Sequence, residues 1–252
     1  MSTAITVSHI GREPELLGQT VVVIGGSAGI GLETARRASA EGAKLILTGR
    51  SPERLQSAAS EVHALSTTTF DATDPALLKQ FFRDLPTPID HIMVTAGRPY
   101  YGRLIDLDLA HAHRALDEHF SLIIEVARNA ADKVKAGGTL IFMGGTGGRR
   151  PAIGFGVAST LTAALPALTA NLALELAPVR VNLIAAGFVD TQLSASLLGD
   201  ELENRRQLRA KLPIRRVIQP ADVAALAVHI MTNTALTGAT YDVDGGQQFV
   251  AA

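Results

Sequence analysis

The chain of 252 residues has no cysteine and no tryptophan, and aromatic residues make up only 4% of it. Without cysteine there are no disulfides and no thiolate metal sites, and we expect a reducing cytoplasmic setting with no bound metal. An excess of one charge is also missing, since 23 Lys and Arg face 24 Asp and Glu for a net of -1. With no basic stripe, nucleic acid is not expected as a partner. No uninterrupted apolar run approaches the roughly 18 residues that span a bilayer. Met1-Ser2-Thr3-Ala4 lacks the basic-then-apolar start of a signal sequence, so no membrane role is expected. No proline- or serine-rich linker, charge block or fixed-period repeat divides the chain. The expectation is one domain over residues 17–252, preceded by an extension of residues 1–16.

What is present is a glycine loop in a telling place. Val21-Val22-Val23-Ile24 reads as a strand buried on both faces. It runs into Gly25-Gly26-Ser27-Ala28-Gly29-Ile30-Gly31, and a helical pattern (Leu32, Ala35, Ala38) follows at once. Strand, glycine loop and helix start in that order make an anion site, because unpaired N–H groups at the helix start point at whatever the loop admits. The spacing is G-x-x-x-G-x-G, which differs from the G-x-G-x-x-G fingerprint.

Beyond the loop, strands and helices alternate. Strands are expected at Lys44–Thr48, ending near Phe70, at His91–Val94, Thr139–Phe142, Arg180–Ile184 and Ala239–Val243. Helices are expected from Pro52 (with Ser51 as N-cap), from Pro75 to Phe82, from Leu109 to Lys135 (stopped by Gly137-Gly138), from Val157 to Leu176, and over Ala195 to Met231. Such alternation predicts an α/β fold, a single-domain Rossmann-type doubly wound parallel sheet with helices on both faces. Ligands on such a sheet sit at the carboxyl ends of the strands, where Gly25–Gly31, Thr95-Ala96-Gly97, Gly144–Arg150 and Ala186-Gly187 all fall.

With those loops placed, the chain from about Leu17 to Val250 resembles the short-chain dehydrogenase/reductase family. Gly25-x-x-x-Gly29-Ile30-Gly31 is similar to the family's cofactor loop, with Ser27 and Ala28 inside it. Asp71, followed by Ala72, is similar to the acidic residue facing the adenine, and Thr95-Ala96-Gly97 to the Asn-Ala-Gly turn. Leu174–Pro178 through Asn182 resembles the entry to the sixth strand. Gly187-Phe188-Val189-Asp190-Thr191 resembles the segment over the nicotinamide, and Asp242-x-Asp244-Gly245-Gly246 the carboxyl-terminal signature. The resemblance implies a nicotinamide cofactor, a small carbonyl or alcohol substrate, and assembly as a homodimer or homotetramer.

The departure is in the chemistry. The family uses Asn, Ser, Tyr and Lys, with Tyr as acid/base and Lys lowering its pKa. Its Tyr-x-x-x-Lys falls here on Gly156 to Thr160, its Ser on Gly145 or Thr146, and its Asn on His119. Substitute groups are Tyr100, Tyr101, His119 and Thr146, with Arg149 and Arg150 as fixed charges. The alternative is that the tyrosines only line a pocket and His119 sits within its helix. The five lysines (Lys44, Lys79, Lys133, Lys135, Lys211) are expected away from the cleft. After the second strand stands Gly49-Arg50-Ser51, with no carboxylate to repel a 2′-phosphate and with Arg50 to bind it. This favours NADP(H), with NAD(H) as the alternative; Arg50 pairing with Glu53 is the other reading. Two functions follow: an NADP(H)-dependent oxidoreductase with non-standard catalytic residues, or a nucleotide-binding sensor or structural partner without catalysis. The helix from Val157 to Leu176 carries no charge before Glu175, so a face of it and of its neighbour is expected to be covered by a second copy.

Overall fold

The computed structural model describes residues 13–194 and 202–250. Seven parallel strands form one sheet in the order β3-β2-β1-β4-β5-β6-β7. They are β1 Thr20–Ile24, β2 Lys44–Gly49, β3 Ser66–Thr69, β4 Ile89–Val94, β5 Val134–Gly145, β6 Arg180–Ala186 and β7 Thr240–Val243. Period-two alternation sends Val22 and Ile24 of β1 to one core and Val21 and Val23 to the other. The first core lies under α3 (Pro75–Asp84), α4 (Leu109–Ala130) and α5 (Gly156–Glu175); Phe82, Val126 and Leu165 are among its members. The second lies under α1 (Gly29–Ala40), α2 (Pro52–Val62) and α7 (Pro220–Thr232), with Ala35, Leu55 and Ile230. A further helix, α6 (Leu202–Lys211), stands over the carboxyl edge. The sheet order reverses between β1 and β4, which opens the crevice in which such sheets bind ligands.

Local signals set most helix starts. Ser51 accepts a bond from Arg54 N ahead of Pro52, and Asp74 accepts from Ala76 N and Leu77 N ahead of Pro75. Asp108 does the same for His111 N at α4. Residues 1–12 of the expected extension lie outside the described residues. Leu16 is fully buried in the second core, and its N–H donates to Glu41 O.

Three expectations need correction. The helix from Leu109 ends at Ala130, not Lys135, because Val134 already pairs with Ile89 on β4. Gly137 and Gly138 therefore lie inside β5, where the register shifts, and do not stop a helix; a Cβ on Gly138 would stand 2.4 Å from Asp90 O. The helical region expected over Ala195–Met231 is two helices, α6 and α7, and residues 195–201 lie outside the described residues. Pro213, the positive φ of 57° at Arg215 and the Val189–Ile218 bridge break it. Finally, α5 is long and apolar enough to cross a membrane by length and composition. Its Ser and Thr interrupt the apolar run; the hydroxyls of Ser159, Thr160 and Thr162 donate to helix or turn carbonyls. It packs on β5, β6 and α4, and it runs unbroken through Pro166.

Candidate active site

The nucleotide side is built from backbone. Gly25 N and Gly26 N donate to Thr48 O at 3.2 and 2.9 Å, tying the loop to β2. Thr95, directly after β4, donates its N–H to Ile24 O at 2.8 Å and its hydroxyl to Gly25 O at 3.1 Å. That contact leaves no space for a side chain: a Cβ on Gly31 would stand 2.3 Å from Gly25 O, and one on Gly25 2.7 Å from Thr95 Oγ1. Helix α1 then starts at Gly29 with φ +53°. Its N-cap Ala28 supplies no capping side chain, and its first turn has no acidic residue. The first-turn N–H groups, including those of Ile30 and Gly31, are thus left for an anion, and this fits the pyrophosphate of a dinucleotide.

On the flank, Ser27 packs on Gly49. The Arg50 guanidinium lies 3.9 Å from the Asp71 carboxylate, both exposed, so its nearest acidic partner is Asp71 and not Glu53. Glu53 instead accepts a backbone N–H and the Ser51 hydroxyl, the latter at 2.9 Å, and these bonds hold its carboxyl below the usual range. Asp71 also accepts the N–H and hydroxyl of Thr73, and Ala72 is buried beside it.

From the glycine loop a cleft of about 860 Å³ extends toward β5 and β6. Ala96 and Gly97 line it, together with His119 of α4, whose ring lies against Gly97; a Cβ there would stand 2.8 Å from His119 Cε1. Burial pulls the His119 imidazole below its ordinary pKa. Tyr101 lines the cleft with its ring 4.8 Å from that of Phe155, and burial pushes its phenol up. Tyr100 does not line it: its ring lies 4.5 Å from that of His111, tilted by 44°. Thr146 is buried in the cleft wall, at the turn that Ser159 fastens by donating to Gly147 O. Across from the loop, Gly187, Val189 and Thr191 complete the wall, and Phe188 N donates to Gln247 Oε1 at 2.7 Å. Arg149 is held by Asp242, while Arg150 lines the cleft and donates to Val250 O.

Two placements correct the sequence reading. Gly156 and Thr160 are exposed and line no part of the cleft. The α5 residues turned into it are Ala158, Leu161, Thr162 and Leu165, with Phe155 at the N-cap, and Ala158 and Thr162 are a cleft-facing pair four residues apart that lies two residues beyond Gly156 and Thr160. Neither member of that pair carries a phenol or an ammonium. Ala158, Leu161 and Leu165 are the buried residues of this face. Likewise Lys211 is not remote, since α6 turns Asn204, Gln207, Leu208 and Lys211 into the cleft at helical spacing. An uninterrupted reading of residues 195–231 hid the end of α6 and this face with it.

A parallel sheet with a helix-borne anion site at its switch point and a cleft beside it defines a dinucleotide-binding α/β protein. A family model described as Enoyl-(Acyl carrier protein) reductase matches residues 25–248. The short-chain dehydrogenase/reductase ATR9 of Stachybotrys chlorohalonatus is 28% identical, covering 92% of this chain and 98% of that protein. Dehydrogenase/reductase SDR family member 4 of Oryctolagus cuniculus is 28% identical over 95% and 97%. Among solved structures, the short-chain dehydrogenase/reductase of Serratia marcescens BCRC 10948 superposes with a TM-score of 0.86 at 28% identity, covering 93% of this chain and 99% of that one. BdcA, solved in complex with NADPH, shares the fold at 24% identity with a TM-score of 0.84 over 94% and 96%. The chain belongs to the short-chain dehydrogenase/reductase family, whose members bind NAD(P)(H).

Proposed function

We propose that the protein is an oxidoreductase that takes NADP(H) in preference to NAD(H) and interconverts a small carbonyl and its alcohol with proton-handling groups other than the family's. The observation carrying this reading is the complete nucleotide side opening into a cleft that holds Tyr101, His119 and Thr146. Bound nicotinamide supplies or accepts the hydride; the chain's own residues handle the proton. Burial acts oppositely on the two titratable groups. It holds the Tyr101 phenol as a hydrogen-bond donor that polarises a carbonyl oxygen, and His119 takes the alcohol proton when the nicotinamide takes the hydride and returns it to the oxygen when reduction runs the other way. Thr146 offers a second hydroxyl. Arg50 is the cation for a 2′-phosphate, and Gly25, Ser27, Ala28, Gly29, Ile30 and Gly31 form the cradle for the pyrophosphate.

A second reading, a nucleotide-binding sensor or structural partner without catalysis, is favoured by Ala158 and Thr162, which face the cleft at the spacing of the family's Tyr and Lys and carry neither phenol nor ammonium. Under either reading, homodimer or homotetramer assembly through α4 and α5 is supported by exposed Ile124 and Leu174 on those helices. In sedimentation velocity, Ala164→Glu should then weaken the assembly.

Calorimetric titration of NADPH and NADH into wild type and Arg50→Ala tests the cofactor. Wild type should favour NADPH and the variant should not; equal wild-type affinities overturn the preference, and no binding of either overturns the site. A carbonyl and alcohol panel read at the nicotinamide absorbance then separates the two functions. Turnover lost in Tyr101→Phe or His119→Ala identifies the proton-handling group, and a silent panel with NADPH bound supports the second reading.

A further inference from the structure

The cleft wall has a charge pattern that neither the glycine loop nor the proton-handling groups use. Among its described residues there is no Asp or Glu, whereas Arg150 and Lys211 both line it. The two belong to the same side. Arg150 Nε donates to Val250 O, and Pro213, two residues past Lys211, packs on Gly246, so both border the carboxyl-terminal segment. Gln247 of that segment is itself in the wall.

Neighbouring cations are already engaged. Arg149 pairs with Asp242, Arg205 with Asp190 at 2.9 Å, and Arg216 with Asp222. The end of α6 is closed by arginines, Arg209 donating to Arg215 O and Arg215 to Ala210 O. Lys211 takes part in none of these: it has no ion pair among the described residues and is not needed to cap its helix. The Arg205–Asp190 pair fastens α6 to the segment after β6 and turns its Asn204, Gln207, Leu208 and Lys211 face inward.

We propose that Lys211 is a specificity-determining residue whose ammonium binds a carboxylate on the substrate, so that the carbonyl or alcohol taken by this cleft is an acid and not a neutral molecule. The cleft is otherwise largely apolar, with Phe155, Leu161, Leu165 and Phe188, which suits a hydrophobic body bearing one anionic end. An exposed ammonium at the wall pays little desolvation when it meets a carboxylate.

This inference rests on the dinucleotide-bound oxidoreductase reading, and the experiment separates the two. NADPH is titrated first, then 4-phenylbutyrate or its neutral amide 4-phenylbutyramide is titrated into the NADPH-loaded protein, using wild type, Lys211→Met and Lys211→Arg. The acid should bind wild type about tenfold or more tightly than the amide, lose that advantage in Lys211→Met and keep most of it in Lys211→Arg. NADPH affinity should be equal in all three. Equal binding of acid and amide, no acid binding at millimolar concentration, or an acid advantage that survives Lys211→Met overturns the proposal. A fall in NADPH affinity in Lys211→Met overturns it too, by assigning the lysine to the cofactor. Absence of NADPH binding in wild type is the separate failure of the underlying reading, and it removes this proposal with it.

Discussion

The two sides of the cleft are built from different materials. On the nucleotide side the contacts are backbone to backbone or backbone to Thr95, and residue choice matters because a Cβ has nowhere to go. On the substrate side the scaffold is a helix whose cleft-facing positions can hold any side chain that packs. Helix α5 runs unbroken with Ala158 and Thr162 there, and Thr162 satisfies its hydroxyl on Ala158 O. A side chain can therefore be exchanged on the substrate side without loss of fold, whereas the glycines cannot be exchanged without loss of the site. Chemistry is the freer variable.

Each side also rests on a buried polar anchor at the opposite edge of the sheet, and here the largest effect is expected. Arg180, at the start of β6, donates to Gly137 O, Ile230 O, Met231 O, Asn233 O and Leu236 O, closing the end of α7 and its link to β7. Arg180→Met leaves those carbonyls without their donor, at a cost of about 3–5 kcal/mol. Urea unfolding reads it; a loss below about 1 kcal/mol would show that the substrate side does not depend on this anchor.

On the nucleotide side the anchor is His91 of β4, 2.7 Å from Gln19 Oε1 and flanked by Asp90, Arg180 and Lys135. Burial lowers its pKa from 6.5 to about 4. The unfolded chain therefore binds the proton first as pH falls. Stability from this group is complete above pH 6.5 and drains away between there and about pH 4. Between pH 7 and 4.5 wild type should lose about 2.5 kcal/mol more than His91→Gln, whose amide still bonds Gln19. Parallel losses in the two proteins would mean that His91 titrates freely when folded.

These anchors also show why some of the fold was readable in advance and some was not. The alternation of β-branched runs with helical stretches, and Ser51, Asp74 and the glycine loop at their starts, are local signals, so the fold class and the place of the glycine loop between β1 and α1 followed from them. The end of α4 depended on Val134 pairing with Ile89, some 45 residues away, and no local signal marks it. The same is true of the cleft-facing register of α5 and of Lys211, which are decided by how helices seat on the sheet and not by their own residues. Tyr100 and Tyr101 are adjacent and chemically alike; only the turn of the backbone sends one to His111 and the other into the cleft.

The cleft itself offers the sharper contrast, because one substitution can be made on both sides. Gly31→Ala places a Cβ 2.3 Å from Gly25 O and 2.6 Å from Thr95 Oγ1, and both partners are held by β1 and β4. The loop must open, and NADPH affinity should fall at least about thirtyfold, about 2 kcal/mol. Calorimetry with circular dichroism as the folding control measures it. Unchanged affinity in a folded variant would mean that the cradle is looser than its backbone contacts imply.

The same change at Gly156 should do the reverse, by the smallest amount. A Cβ there meets nothing within 4 Å, the residue is exposed, and its φ is outside the left-handed region. It opens α5, where alanine loses less backbone entropy than glycine on folding, so Gly156→Ala should stabilise by up to about 0.5–1 kcal/mol. Because Gly156 does not line the cleft, NADPH affinity and any turnover should stay at wild-type values. Thermal unfolding and the same calorimetry check both. If Gly156→Ala weakens ligand binding instead, α5 is seated two residues away from where its buried face puts it, and Gly156 and Thr160 face the cleft in place of Ala158 and Thr162.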